Sequence, residues 1–466
     1  STLNAGTAGP TTESNASYNG TSMATPHVAG AVALAQSRRL ALGLALWTPA
    51  QVEANLKSTA YALSGSCSGG CGAGIIDANA LVALAGGSNP PPPPPPPPTG
   101  GPAADCPAGF ANVGTVANAT LRNCQLPNKI TGNLVIPKRD GTVYSISGRV
   151  DVGDDQGGDA ANPIAGREKG ILTVEPGVTV FGAAGLDYMV VNRGSQLFAE
   201  GTSSEPIVFT SRQSVEGTTT IDSIGQWGGL VLLGRAPISN CPGTATPGTP
   251  TCEAQVEGTN AFYGGNTPGD NSGRVRYVQI KFSGFEISTG NELQGLTMAG
   301  VGSGTTVEFI QVHNSSDDGI EIFGGNVNLR HIVINGADDD GLDTDTGWRG
   351  GAQFGIVTQR PPNATSRSAG FEFSAAPAAT PLASRFVSQP KIANWTLVGR
   401  NAPTDAHTVM HFDTGTNPTL INIVATSTTG SVAGCFDIAD ADTQTSFDSG
   451  STPSLRSIFM SCSISA

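Results

Sequence analysis

The stretch Asp317–Glu321, Asp-Asp-Gly-Ile-Glu, recurs 22 residues later as Asp-Asp-Gly-Leu-Asp over Asp339–Asp343. Under the same shift, the apolar positions of segment 307–312 fall on apolar positions of segment 329–334. Apolar strands with glycine at the corners, repeated at this period, predict the coils of a parallel β-helix, in which each coil stacks on the one before.

Short apolar runs broken by Gly, Asn and Asp continue on both sides of this repeat. Clear strands are predicted at 171–174, 178–181, 207–210 and 229–233. We therefore expect residues 102–466 to form an all-β domain, a right-handed parallel β-helix. The region resembles β-helix modules of secreted bacterial proteins, a resemblance of fold that implies no chemistry by itself.

The repeated corners carry candidate metal ligands. Stacking in register places equivalent residues about 4.8 Å apart, so Asp317 and Asp318 are expected to face Asp339 and Asp340, with Asp343 nearby. Carboxylates at this spacing repel one another unless they are protonated, hydrogen-bonded or bridged by a cation. Oxygen ligands in this number suit Ca²⁺, and these five aspartates are its predicted ligands. The alternative is that the aspartates only hydrogen-bond their own turns.

A third interpretation is catalysis by the β-helix, because paired carboxylates can act as acid and base on polysaccharides. The Gly-His-Gly and Arg-x-Lys segments that a resemblance to polygalacturonases would require are missing near the Asp pairs. The histidines at 313, 331, 407 and 411 are scattered and are interpreted as surface or core polar residues.

Trp227, Trp348 and Trp395 could stack on sugars if they were exposed, although single aromatic residues usually belong to a core. The main alternative to a catalytic function is therefore that of a carbohydrate-binding or adhesive β-helix protein, with a cell-surface or extracellular glycan as its partner.

The second informative stretch is Tyr18–Gly30, Tyr-Asn-Gly-Thr-Ser-Met-Ala-Thr-Pro-His-Val-Ala-Gly. Gly20 allows a sharp turn, and Ser22 is predicted to begin a helix, where unpaired N–H groups favour a developing oxyanion. Gly-Thr-Ser alone could be an ordinary helix cap, but the whole stretch resembles the nucleophile motif of the subtilisin-like serine peptidases. The resemblance implies that Ser22 is the nucleophile. His27 lies five residues on, about 140° around the helix, and therefore cannot be its base.

Residues 1–87 are similar to the C-terminal part of that α/β peptidase domain, with Thr48 predicted to cap its next helix. The resemblance implies a serine endopeptidase that acts on protein or peptide substrates. In the family the catalytic aspartate and histidine precede the serine, and this sequence does not contain them. The chain alone is therefore expected to be inactive. The small and apolar helix Met23–Leu34 is of the buried type, but with so few elements around it we expect poor cover.

Residues 88–101 form a linker that contains nine consecutive prolines, which favour an extended rod. The 62 glycines, 32 prolines and 13% charged residues indicate a turn-rich, β-rich protein. The net charge of −13 argues against nucleic acid or an anionic membrane as partner. No apolar run is long enough to span a membrane.

The eight cysteines fall into neighbouring pairs, which predicts four local disulfides and an oxidising, extracellular or cell-surface location. The predicted pairs are Cys67–Cys71, Cys106–Cys124, Cys241–Cys252 and Cys435–Cys462.

Overall fold

The computed structural model divides the chain into two compact units, Ser1–Pro97 and Pro98–Ala466. The division falls inside the predicted linker. Of residues 21–27, 41 and 454, only the backbone is described. The residues that the structure describes are 2–4, 13–15, 21–61, 73–86, 101–288, 291–360, 368–375, 382, 385–400, 408–427, 434–448 and 454–462.

The first unit consists of helices and one antiparallel strand pair. Its elements are β1 (Thr2–Asn4), β2 (Glu13–Asn15), α1 (Thr21–Ala41), α2 (Pro49–Thr59) and α3 (Ala78–Ala85). Helix α2 begins with a capping box, in which Thr48 and Gln51 each accept a hydrogen bond from the other's backbone N–H. The predicted cap is thus confirmed.

Among the residues whose side chains are described, helix α1 is covered on one side only. Ala31 and Ala35 pack against Leu81 and Ala85 of α3, whereas Leu34 is 60% exposed. The helix has the composition of a buried one, but its described neighbours cover a single stripe, as expected for so small a set of elements.

Where it is described, the second unit is built of short strands with two short α-helices. Its elements are β3 (Ala111–Val116), β4 (Leu121–Gln125), β5 (Lys129–Ile130), β6 (Gly132–Ile136), β7 (Thr142–Ile146), β8 (Arg149–Val152), β9 (Gly170–Val174), β10 (Thr179–Gly182), β11 (Tyr188–Val191), β12 (Gln196–Glu200), β13 (Ile207–Ser211), α4 (Arg212–Val215), β14 (Gly229–Leu233), β15 (Ala254–Gln255), β16 (Phe262–Tyr263), β17 (Gly273–Lys281), β18 (Phe285–Ser288), β19 (Asn291–Leu293), β20 (Leu296–Ala299), β21 (Thr306–His313), β22 (Ile320–Phe323), β23 (Asn328–Asn335), β24 (Leu342–Asp345), β25 (Gly351–Thr358), β26 (Ala369–Phe373), β27 (Lys391–Gly399), β28 (Thr408–Phe412), β29 (Thr419–Ser427), β30 (Asp437–Ile438), α5 (Ala441–Asp448) and β31 (Ser454–Ser461).

Two long sheets account for most of these strands. Within the described residues one sheet has fifteen strands and the other has ten, which run in the order β30-β28-β26-β24-β22-β20-β14-β11-β8-β5. From β20 to β29 successive strands alternate between the two sheets, and each pairs in parallel with its equivalent in the next coil. This is the predicted parallel β-helix.

The main core lies between the two sheets. Residues Val307, Ile310 and Val312 of β21 point inward, and Ile320 and Ile322 of β22 meet them from the ten-stranded sheet. Side chains alternate along a strand, so the intervening positions of β22 face away from this core. The chemistry of the outer face therefore depends on what covers it.

The outer face of the ten-stranded sheet is covered in part by the segment between β14 and β17. Val231 and Phe323 pack there against Ile238 and Tyr263 in a second apolar cluster. The run Gly229–Leu233 is buried throughout, as expected for a strand with both faces covered. Polar groups on this face are consequently removed from water.

Disulfides join Cys106 to Cys124, Cys241 to Cys252 and Cys435 to Cys462, as predicted from their spacing. The predicted pair Cys67–Cys71 lies outside the described residues.

Candidate functional site

The two Asp-Asp-Gly corners lead directly into neighbouring strands of the ten-stranded sheet. Ile320 of β22 is in register with Leu342 of β24. A Cβ atom on Gly319 would lie 2.3 Å from Cγ2 of Ile334 and 2.8 Å from the carbonyl oxygen of Gly341. Glycine therefore allows the corners to stack closely, which brings their aspartates together.

The corner carboxylates form two groups that share Asp318. The ligand oxygens of Asp317, Asp318 and Asp339 lie within 4.8 Å of one another, and so do those of Asp318, Glu321 and Asp343. The stacking predicted from the 22-residue shift is therefore observed.

Asp340 is bound differently from the other four predicted ligands. Its backbone N–H donates to Asp318 Oδ1 at 2.9 Å, while its own Oδ1 accepts a hydrogen bond from the Ala369 N–H. Among the described clusters, Asp340 belongs to neither carboxylate group.

Several oxygens of the second group are buried without a hydrogen bond. Asp318 and Glu321 are only 6% and 5% exposed. Glu321 Oε2 and Asp343 Oδ1 are buried and have no hydrogen-bond partner among the described residues. Such oxygens cost free energy unless they are protonated or bound to a cation.

Burial and mutual repulsion raise the pKa values of these carboxyls. Burial, then the charge of Asp339, raises the pKa of Asp317 to about 8. The pKa values of Asp318, Glu321 and Asp343 lie well above the ordinary range, first through burial and then through neighbouring carboxylates. The cluster therefore favours a proton or a cation over free negative charge.

Two further acids, Glu257 and Glu292, come from the chain that covers this face. Burial, followed by a hydrogen bond to Glu292, raises the pKa of Glu257 to about 7. Both residues contribute to the raised pKa of Asp317. Sequence reasoning missed them because they lie outside the repeat and reach the corners only through the tertiary fold.

The carboxylate row continues beyond the repeat. Pairing in register aligns Glu321, Asp343, Glu372, His411 and Asp437 on five successive strands. Their spacings are 22, 29, 39 and 26 residues, so the sequence period is lost after the first step. The interpretation of His411 as a scattered polar residue overlooked its place in this row.

The other histidines lie elsewhere. His313 Nδ1 is 2.5 Å from Asn335 Nδ2 on the fifteen-stranded sheet. His331 stacks between the rings of Phe309 and Phe354. His407 is outside the described residues.

The tryptophans do not form a sugar-binding surface. Trp227, Trp348 and Trp395 are fully buried, and their indole N–H groups donate to backbone carbonyls. The suggestion that they stack on sugars is therefore wrong, and they are core residues.

In the first unit, Ser22 lies in the first turn of α1, which begins at Thr21. The expected helix start is observed, although the side chains of Ser22 and His27 are not described. The described residues contain no helix long and apolar enough to cross a membrane.

These features define a parallel β-helix with buried acids at its corners, preceded by a helix whose first turn carries a serine. The chain belongs to the family of pectate-lyase-like β-helix domains, whose model matches residues 160–462. Residues 1–74 match the subtilase family.

Two curated relatives match a short part of the chain. An extracellular protease of Xanthomonas campestris pv. campestris is 61% identical over 85 residues, which are 18% of this chain and 14% of that protein. An extracellular basic protease of Dichelobacter nodosus is 43% identical over 82 residues, 18% of this chain and 13% of that protein. No solved structure matches the chain. The chain is therefore similar to secreted proteases over its first part only, and most of its length is a β-helix domain.

Proposed function

We propose that this chain is part of a secreted serine endopeptidase in which Ser22 is the nucleophile. The supporting observation is that residues 1–74 match the subtilase family while Ser22 lies in the first turn of α1. The first N–H groups of a helix have no acceptor within it, so they can donate to the oxyanion that forms when serine attacks a carbonyl. Protein or peptide substrates follow from this chemistry.

A fluorophosphonate probe tests this role, because it reacts with a serine that a base has activated. The chain alone is expected to remain unlabelled, since His27 cannot reach Ser22 on the same helix. A chimera in which the preceding part of the Xanthomonas protease is joined to residue 1 should be labelled and should hydrolyse casein.

Ser22→Ala should abolish both labelling and hydrolysis in the chimera. Ser37→Ala, at an exposed position of the same helix, is the matched control and should leave both unchanged. Labelling of the chain alone, or of the Ser22→Ala chimera, would contradict the assignment.

The second part of the proposal is that the Asp-Asp-Gly corners bind Ca²⁺. It is supported by two groups of buried and half-buried carboxylates that share Asp318 and by the unpartnered oxygens of Glu321 and Asp343. Ca²⁺ takes six to eight oxygen ligands in flexible geometry, and the corners together with Glu257 and Glu292 supply enough oxygens. A bound cation would offset the repulsion that raises the pKa values of these carboxyls.

Thermal and urea unfolding of the full chain, with Ca²⁺ and with EDTA, measure this effect. An ion that binds only the folded state stabilises it by about 2.7 kcal/mol at a hundredfold excess over Kd. Asp318→Asn keeps the Oδ1 acceptor for the Asp340 N–H but removes the charge from both groups, so most of the calcium shift should disappear. Coincident curves with Ca²⁺ and EDTA would leave the aspartates as turn residues only.

Secretion is supported by the three described disulfides and by both relatives, which are named as extracellular proteases. The net charge of −13 disfavours nucleic acid as a partner. A glycan-binding role through the β-helix remains the alternative, and the three buried tryptophans of the β-helix do not support it.

A further inference from the structure

A second cluster lies further along the acid row, at the end of the ten-stranded sheet. Glu372 of β26, His411 of β28 and Asp437 of β30 are aligned in register. Asp413 follows β28 two residues after His411, and side chains two residues apart in extended chain point to the same face. The ligand atoms of Glu372, His411 and Asp413 all lie within 4.8 Å of one another.

The imidazole of His411 is held with one nitrogen satisfied and the other free. Its Nδ1 lies 2.7 Å from Asp437 Oδ2. The side chain is only 1% exposed. Its Nε2 is therefore shielded from water, and it has no hydrogen-bond partner among the described residues. A carboxylate accepts hydrogen bonds, so Asp437 selects the tautomer with the proton on Nδ1 and leaves a lone pair on Nε2.

Asp413 is oriented toward that lone pair. Its Oδ1 accepts hydrogen bonds from the hydroxyls of Ser374 and Thr414. Its other oxygen, Oδ2, lies 4.0 Å from His411 Nε2. A lone pair and a carboxylate oxygen that face each other without a proton between them repel, and a cation placed between them would remove this repulsion.

We propose that Glu372, His411 and Asp413 bind a first-row transition-metal dication of the Zn²⁺ class. Imidazole nitrogen with two carboxylates is a donor set that such ions accept, and three protein ligands leave one coordination position for water. Asp437 is the outer partner that fixes the tautomer and increases the basicity of a ligand histidine. The ion joins two successive coils, β26 and β28, near the C-terminal end of the sheet.

The geometry requires a small closure on binding. A tetrahedral zinc ion with bonds of about 2.1 Å holds its ligand atoms about 3.4 Å apart, which is closer than the 4.0 Å between His411 Nε2 and Asp413 Oδ2. Rotation of the Glu372 and Asp413 side chains supplies this closure, while Asp437 keeps the imidazole in place.

This site has a different set of ligands from the proposed calcium site. It contains a nitrogen ligand, which Zn²⁺ prefers and Ca²⁺ does not, and it shares none of the corner aspartates. The two sites are neighbours, because the carboxylate of Glu372 also lies beside Asp340 and Asp343, so the choice of metal and the His411 variant distinguish them.

The experiment uses the tag-free full chain, stripped with EDTA and titrated with Zn²⁺, in competition with a chromophoric chelator, and separately with Co²⁺. Wild-type protein should bind one equivalent of Zn²⁺ at this site, and Co²⁺ should give the intense visible absorption of a tetrahedral complex. His411→Gln should lose that equivalent and the cobalt spectrum, with at least a hundredfold weaker binding. Asp437→Asn removes the outer partner of His411 but leaves the three ligands in place. It should therefore weaken binding by about 10- to 100-fold.

Matched variants separate this site from others. His313→Gln on the fifteen-stranded sheet and Asp318→Asn at the corners should keep the zinc equivalent and the cobalt spectrum. If His411→Gln fails to fold, as judged by the fluorescence of the buried tryptophans, Asp413→Asn takes its place. Failure of the wild type to bind Zn²⁺, or unchanged affinity in a folded His411→Gln or Asp413→Asn variant, would overturn the proposal and leave His411 as a core residue hydrogen-bonded to Asp437.

Discussion

Asp345 gives a direct test of the electrostatics beside the acid row, because Glu372 of that row acts on its pKa. It ends β24, and its Oδ1 accepts a hydrogen bond from the Thr346 N–H at 2.5 Å. Burial raises its pKa from 3.8 to about 7, and the charges of Asp413 and Glu372 add to the effect. Asp345→Asn keeps an oxygen acceptor for Thr346 while removing the ionisable group, so it isolates the titration from the hydrogen bond.

The direction of the pH dependence of stability follows from proton binding. A carboxyl whose pKa is higher in the folded state holds its proton there after the unfolded state has lost it. The free energy of unfolding therefore falls as pH rises from the unfolded pKa to the folded pKa and is constant outside that window. With pKa values of 3.8 and about 7, each pH unit inside the window costs about 1.4 kcal/mol. Since the folded carboxyl is already half ionised at pH 7, Asp345 should cost the metal-free protein about 2 kcal/mol between pH 5 and pH 7.

Urea unfolding of the full chain in EDTA at pH 5, 6 and 7 measures this cost, with the fluorescence of Trp227, Trp348 and Trp395 as the probe. All three indoles are buried in the β-helix, so they report its unfolding. The Asp345→Asn variant should lose about 2 kcal/mol less than wild type over this range. Asp140→Asn, at an exposed position, should follow wild type. Parallel wild-type and Asp345→Asn profiles would refute the reasoning.

Two further predictions concern the coil geometry and its closure. Gly341→Ala should destabilise the β-helix by at least about 2 kcal/mol in urea unfolding, because its Cβ would lie 2.4 Å from a valine methyl group and 2.6 Å from a carbonyl oxygen. The control is Gly269→Ala, whose Cβ has no atom within 4 Å. Equal stability of the two variants would show that Gly341 is not needed for close stacking. Replacing both Cys435 and Cys462 with serine removes a disulfide that spans 27 residues. The free energy of unfolding should fall by roughly 3.5 kcal/mol on the chain-entropy scale. An unchanged urea midpoint would show that the last coil is held by packing alone.

The sequence by itself determined the architecture wherever its signals are local. The apolar run Gly229–Leu233 and the glycines before β22 and β24 are properties of a single coil. The 22-residue repeat relates one coil to the next, so it predicts stacking without knowledge of the rest of the chain. The capping of α2 by Thr48 and the helix start beside Ser22 depend on residues only a few positions apart.

The tertiary structure alone decided which acids meet and which are buried. Glu257 and Glu292 reach the corners because the segment after β14 folds over the outer face of the ten-stranded sheet. His411 joins the acid row because the strands keep their register from coil to coil. They do so although insertions in the turns lengthen the coils from 22 to 29 and then 39 residues. Register is fixed by packing and hydrogen bonding across coils, whereas sequence distance is set by loop length. A period read along the chain therefore cannot find residues that only neighbouring strands bring together.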